Sequence, residues 1–273
     1  MTAPALAKLE ARMAAIDSLV CVGLDSAIER IPERFCKVNH PQFEFNRWVI
    51  EQTLSYATAY KPNLAFYEAR GAKGWDELAR TMELLRSIAP GVFTIADAKR
   101  ADIGSTNAGY VTALFDELGF DAVTLHPYLG AEALAPFLER EDKASIVLCR
   151  TSNPGAGELQ DLDVDGVPLW ETVATRVRDA WNEKGNCLLV VGATYPAELA
   201  RARELCPDLA FLVPGVGAQG GDAAAVVTNG LSANGRGLLI NSSRGVIFAD
   251  DPAAEAKALR DEIRAAVAAV AGS

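Results

Sequence analysis

"FTIADAKRADIGST", residues 93–106, opens as an apolar run of strand-forming residues and then sets three charges in close order. Asp97, Lys99 and Asp102 follow Phe93, Ile95 and Ala96 with hardly any polar transition. A segment apolar on both faces is what a parallel strand buried inside an α/β fold requires. Charges of both signs at its end are costly unless they are paired or take part in chemistry. In an extended strand, residues two apart share a side, so Asp97 and Lys99 project together. Asp102 lies beyond the strand, where the loop can fold it back toward the ammonium. A carboxylate on each side would keep Lys99 charged and fix its direction. Two readings stand here: an ion network that closes the mouth of a barrel, or a reaction centre.

Seven further apolar runs lie to either side: "LVCVGLD" (19–25), "AYKPNLAF" (59–66), "DAVTLHP" (121–127), "SIVLCRTS" (145–152), "CLLVVGAT" (187–194), "AFLVPGVG" (210–217) and "GLLINSSR" (237–244). Helical patterns separate most of them. Over 104–118, Tyr110, Val111, Leu114, Phe115 and Leu118 trace one face and Gly119 supplies a stop. The last helix has Asp251 as its cap and Pro252 at its first position, and runs to Gly272. Eight strands alternating with helices predict a single (β/α)8 TIM barrel over residues 1–273, led by an N-terminal amphipathic helix; such barrels usually have ~250 residues. An open, doubly wound sheet is the alternative. No Pro/Gly/Ser linker divides the chain.

Barrel chemistry sits where strands end and βα loops begin. Those ends carry Asp25, Lys61, Asp97 with Lys99, His126, Ser152, Gln219 and Arg244. "PGVGAQGG" (214–221) contains a literal GxGxxG at Gly215, Gly217 and Gly220, but it follows the seventh strand and residue 240 is Ile. A dinucleotide fold would place the motif after its first strand, with an acidic residue ~20 positions on. In a barrel, the loops after strands 7 and 8 commonly bind phosphate, and "NSSRG" adds Arg244 as a charged partner. Two ordinary tight turns are the bland reading. Lys61, before Pro62, fits either a salt bridge or a Schiff-base lysine. Asp25 fits an N-cap or a partner for ligand hydroxyls, and His126 is read as structural. "TSNPGAGELQDL" (151–162) reads as a long βα loop able to cover a substrate.

Composition narrows the class. Half of the 273 residues are hydrophobic and 23% are charged, the balance of a globular protein. No apolar run approaches the ~18 residues of a membrane span. The first 20 residues carry Glu10 and lack a basic region leading into an apolar core, so a cytoplasmic location is expected. A formal charge of −10 argues against general nucleic-acid binding. A small anionic ligand would need a local cluster of cations and backbone N–H groups. Cys21, Cys36, Cys149, Cys187 and Cys206 show no CxxC or zinc-like spacing, and three of them sit in strand runs as expected for reduced, buried thiols. With two histidines, neither a His-rich metal site nor a Ser-His-Asp hydrolase is expected.

The order of these motifs resembles the orotidine 5′-phosphate decarboxylase family. "DAKRADIGST" matches its Asp-x-Lys-x-x-Asp signature, and "KPN", "PGVGAQGG" and "NSSRG" stand in the family's order. "TSNPGAGELQDL" and the chain length resemble its longer bacterial subgroup. The resemblance implies a cofactor-free barrel that converts orotidine 5′-phosphate to uridine 5′-phosphate and carbon dioxide in pyrimidine synthesis. By the same resemblance, Lys99 is the acid that protonates C6, Asp97 sits beside the departing carboxylate, and Asp102 holds Lys99. Asp102 and Thr106 are expected in the neighbouring subunit's site, which implies a homodimer with shared active sites. Asp25 and Lys61 are expected at the ribose, Ser152 at the pyrimidine edge, and Gln219 and Arg244 at the phosphate. Ala101 stands where the subgroup has Gly, and His126 where it has Asn. A metal-dependent sugar-phosphate decarboxylase or aldolase of the same superfamily is the nearest rival. A catalytically silent nucleotide-binding barrel, acting as a sensor or scaffold, is the rival from another class.

Overall fold

Eight parallel strands close on themselves in a computed structural model that describes residues 3–217 and 221–272. They are β1 (Val20–Gly23), β2 (Ala59–Lys61), β3 (Phe93–Arg100), β4 (Ala122–Leu125), β5 (Ala144–Arg150), β6 (Cys187–Val191), β7 (Ala210–Pro214) and β8 (Leu238–Ser242). Each strand pairs with its neighbour in sequence, and β8 returns to β1 with Val20 opposite Ile240. The strands are buried on both faces because the closed sheet has side chains inside and helices outside. That is why they read as continuous apolar runs rather than alternating ones.

All eight expected runs form strands of this barrel, and the open-sheet alternative is excluded by the β1–β8 pairing. Most runs overshoot their strands by one to three residues, and two differences have a local cause. The second run stops at Lys61, because Pro62 has no N–H for a ladder and the chain turns into the short helix Ala65–Glu68. β3 runs on through the charged pair to Arg100, with a shift of register against β4 between Ala96 and Arg100. The helix after β3 covers Gly104–Val111 and widens into a π-wound segment, Thr112–Glu117. Val111, Leu114, Phe115 and Leu118 are buried as expected, while Tyr110 is half-buried beneath the Arg100 guanidinium.

The final helix, Pro252–Ala271, begins where expected, with the Asp251 carboxylate accepting the Ala254 N–H at 2.9 Å. At the other end of the chain, the helix Pro4–Ile16 buries Ala5, Leu9 and Met13. Its Lys8 pairs with Asp121 at 2.7 Å, and Arg12 donates to the carbonyls of Leu54 and Ala57 at 2.6 and 3.1 Å. Residues 57 and 121 lie within two residues of the starts of β2 and β4, so this helix plugs the end of the barrel opposite the strands' carboxyl ends. An antiparallel pair, Asp163–Val164 with Val167–Pro168, extends the β5 loop, and its turn residues Asp165 and Gly166 both have positive φ. Cys21, Cys149, Cys187 and Cys206 are buried and free, and Cys36 is exposed and free. No helix among the described residues is long and apolar enough to cross a membrane.

Candidate active site

The end of β3 is a bulge rather than a regular strand. Asp97 donates its N–H to the Pro62 carbonyl and accepts from the Leu64 N–H, while Lys99 takes a left-handed backbone with φ 47°. That conformation costs a lysine about 1–2 kcal/mol and re-aims the side chain, as bulges beside active sites do. Thr124 of β4 holds the distortion from the neighbouring strand. Its hydroxyl accepts the Lys99 N–H at 2.9 Å and donates to Asp97 Oδ1 at 3.1 Å.

Asp97 then stands between two ammoniums, with Oδ2 2.6 Å from Lys61 Nζ and Oδ1 2.6 Å from Lys99 Nζ. Lys61 is 4% exposed, whereas the Lys99 side chain is 51% exposed and projects into the cavity. Burial pushes the Asp97 carboxyl up, but Lys61 and Lys99 together more than reverse this and hold it well below the usual carboxylate range. Burial likewise pushes Lys61 down, and the charges of Asp97 and Asp25 outweigh it, so the ammonium is held above the usual lysine value. The result is a fixed lysine–aspartate–lysine row in which Lys61 and Asp97 hold each other ionised.

This row forms one side of a cavity of about 520 Å³ at the carboxyl ends of the strands. Asp25, Lys61, Asp97, Lys99, Ser152 and Arg244 all line it. Asp25 Oδ1 is buried and finds no hydrogen-bond partner among the described residues. Arg244, exposed and free of ion pairs among the described residues, faces the cavity from the loop after β8. Gly215 (φ 102°) and Gly217 (φ 75°) turn the loop after β7, and the Gly217 N–H closes onto the Gly221 carbonyl at 3.0 Å. Gln219 and Gly220 lie outside the described residues.

Two expected residues are not brought to the cavity by their own chain. Asp102 does not fold back onto Lys99, which pairs with Asp97, and it forms no ion pair among the described residues. Instead its carboxylate accepts the Ile103 N–H at 2.6 Å, and its own N–H donates to Asn107 Oδ1 at 2.9 Å. The loop turns outward at once because a helix begins at Gly104. Thr106, in the first turn of that helix, is exposed. His126 keeps its side chain off the cavity lining, and its N–H donates to the Arg100 carbonyl.

Thr124, Asn63, Gln160 and Asn241 line the cavity without having been singled out from the sequence. Thr124 and Asn241 were detectable, since each is a polar side chain interrupting a buried apolar strand. Asn241 Oδ1 is also buried without a partner among the described residues.

The model of the orotidine 5′-phosphate decarboxylase / HUMPS family matches residues 18–259. An orotidine 5′-phosphate decarboxylase of Cellvibrio japonicus is 45% identical over 262 residues, which span 94% of this chain and 95% of that protein. Leishmania donovani OMP decarboxylase superposes with a TM-score of 0.87 at 44% identity, over 97% of this chain and 99% of the other. Leishmania donovani UMP synthase gives a TM-score of 0.88 at 46% identity, and there 96% of this chain spans 56% of a longer one. With its barrel closed, its charged row in place and its sequence alike over nearly its whole length, the chain belongs to the orotidine 5′-phosphate decarboxylase / HUMPS family.

Proposed function

We propose that this protein converts orotidine 5′-phosphate to uridine 5′-phosphate and carbon dioxide, with residues 1–273 acting as one barrel, Lys99 as proton donor and no cofactor. The observation that carries the reading is the Lys61–Asp97–Lys99 row at the cavity wall. Breaking the bond between C6 and its carboxylate leaves an electron pair on C6, with no adjacent carbonyl to absorb the charge. An ammonium already fixed beside C6 stabilises that charge at no cost in reorganisation, then delivers its proton to the carbon. Solvent restores the proton to Lys99. Asp97, kept ionised by its two lysines, faces the departing carboxylate and holds Lys99 to its line.

The remaining groups anchor the nucleotide. Asp25, with a buried acceptor oxygen awaiting a donor, meets the ribose hydroxyls together with Lys61. Ser152 meets the pyrimidine edge. Arg244 and Gln219 take the phosphate, far from C6, where binding energy can be spent on aligning the reacting groups. A second copy of the chain completes the site. Asp102 and Thr106 do not line their own cavity, and their neighbour Ile103 is 63% exposed, an apolar side chain suited to cover by a homodimer partner. The negative overall charge and the reduced, unpaired thiols suit a cytoplasmic enzyme of small-molecule metabolism, with no role for nucleic acid or membrane.

An absorbance assay with orotidine 5′-phosphate, run with and without EDTA, tests the reading. Turnover that survives EDTA supports it. Loss of turnover in EDTA would move the protein to the metal-dependent sugar-phosphate class, and tight binding of uridine 5′-phosphate without any decarboxylation would make it a silent nucleotide-binding barrel. The shared site has its own test: mixing inactive Lys99→Ala and Asp102→Ala subunits should restore part of the activity, and a mixture that stays dead contradicts sharing.

A further inference from the structure

Arg150 ends β5, is 5% exposed and does not itself line the cavity, but its Nη1 donates to Oε1 of the lining residue Gln160 at 3.4 Å. Two carboxylates from two different elements bind its guanidinium. Glu198, in the helix Pro196–Leu205 after β6, takes Nε and Nη2 in a forked pair at 2.5 and 2.9 Å. Asp161, from the long loop after β5, takes Nη1 at 2.8 Å. The Tyr195 ring lies 5.3 Å from the guanidinium carbon.

The same loop is tied back to the strand end through Gln160. Its Oε1 accepts the Thr151 N–H at 3.0 Å, and its Nε2 donates to the Thr151 hydroxyl at 2.8 Å. From the β6 side, the Gly192 N–H donates to the Arg150 carbonyl at 2.8 Å. A Cβ at Gly192 would lie 2.9 Å from Ser152 Cβ and 3.0 Å from Ser152 N, so the two loops touch with no side chain between them. Thr151, Ser152 and Gln160 all line the cavity. One buried guanidinium therefore joins the β5 loop to the first turn of the helix after β6, beside the close approach of Gly192 to Ser152. A lysine could keep one ion pair there but could not serve a forked carboxylate and a second loop together.

We propose that Arg150 is a positioning residue for base recognition: through Glu198 and Asp161 it fixes the reach of Ser152 and Gln160 toward the pyrimidine ring. It acts without touching the nucleotide, and it leaves the ribose and phosphate contacts on the far side of the cavity alone. The inference rests on the placement of Ser152 at the pyrimidine edge.

The test compares dissociation constants of uridine 5′-phosphate and of ribose 5-phosphate for the wild type, Arg150→Lys, Asp161→Asn and Ser152→Ala. KM and kcat for orotidine 5′-phosphate are measured alongside. Loss of one or two aligned hydrogen bonds should weaken uridine 5′-phosphate about fivefold to tenfold in Arg150→Lys, with ribose 5-phosphate changed by less than about twofold. KM should rise by more than kcat falls. Asp161→Asn, at a half-exposed position, should move the same ratio by less, and it decides the matter if Arg150→Lys does not fold. Equal weakening of both ligands, or none, overturns the proposal. If Ser152→Ala shifts the ratio and neither loop variant does, only the role of Arg150 fails. If Ser152→Ala leaves the ratio unmoved, the base-edge placement fails and takes this proposal with it.

Discussion

Replacing Lys61 by methionine removes the buried cation beside Asp97 while keeping the length of the side chain. Asp97 would retain Lys99 and the Thr124 hydroxyl, but Lys99 stands half in water, where a pair is weaker. Removing one partner of a buried pair costs about 3–5 kcal/mol, and the remaining contacts place this case near about 3 kcal/mol. For a chain of this size each kcal/mol moves the melting temperature by about 2–3 °C, so Lys61→Met should melt about 6–9 °C lower. The pH dependence gives an independent check. Asp97 has a depressed folded-state pKa, so its contribution is present above the unfolded value near ~3.9 and is lost as pH falls through the folded value. Without Lys61, burial weighs more, the folded value rises, and the acid limb of the stability curve moves to higher pH. Urea midpoints from about pH 3 to pH 8 would be compared for the wild type, Lys61→Met, Asp97→Asn and the double variant. A coupling of about 2–3 kcal/mol is expected from the cycle. A loss under about 1 kcal/mol with an unmoved acid limb would show that Lys61 does not hold Asp97 ionised.

Arg244→Ala should weaken uridine 5′-phosphate by about tenfold to a hundredfold, the worth of a charge-assisted hydrogen bond, and uridine hardly at all. An unchanged ratio of the two affinities counts against a phosphate role. Thr124→Val removes both the acceptor for the Lys99 N–H and a donor to Asp97, so kcat should fall by about tenfold or more as Lys99 loses its fixed direction. Unaltered kcat would mean the bulge at β3 needs no support from β4. Arg203 donates to five backbone carbonyls, of Cys206, Pro207, Leu209, Gly230 and Gly237, at the closed end of the barrel. Burial pushes its guanidinium down to about 10. Arg203→Met should destabilise by about 2–4 kcal/mol through the carbonyls left unpaired, with kcat unchanged at low temperature. Loss of kcat at a temperature where the variant is folded would contradict a purely structural role.

Much of the barrel was legible because each strand is buried on both sides and so reads as an unbroken apolar run. The strand ends named the chemistry for the same reason, since Asp25, Lys61 and Asp97 are costly there without a task. What stayed hidden depends on neighbours distant in sequence. Asp97 and Lys99 do meet, but through a bulge held by Thr124, not by the regular alternation of an extended strand. Read from the charges alone, the loop after β3 can fold Asp102 back toward Lys99. The helix starting at Gly104 takes the chain outward instead. Arg150 and Glu198 are 48 residues apart, and no spacing rule joins them. The hairpin at 163–168 did carry a signal, Asp165-Gly166 between Val164 and Val167, but with two-residue strands it left no alternating run to read.

The claim at the centre of this account is that the Lys99 ammonium supplies the proton that replaces the lost carboxylate. It is tested most directly by turnover of orotidine 5′-phosphate in EDTA by the wild type and by Lys99→Ala, with uridine 5′-phosphate binding measured on both. The wild type should turn over rapidly and the variant not detectably, while each binds nucleotide measurably. Near-normal turnover by Lys99→Ala would contradict it.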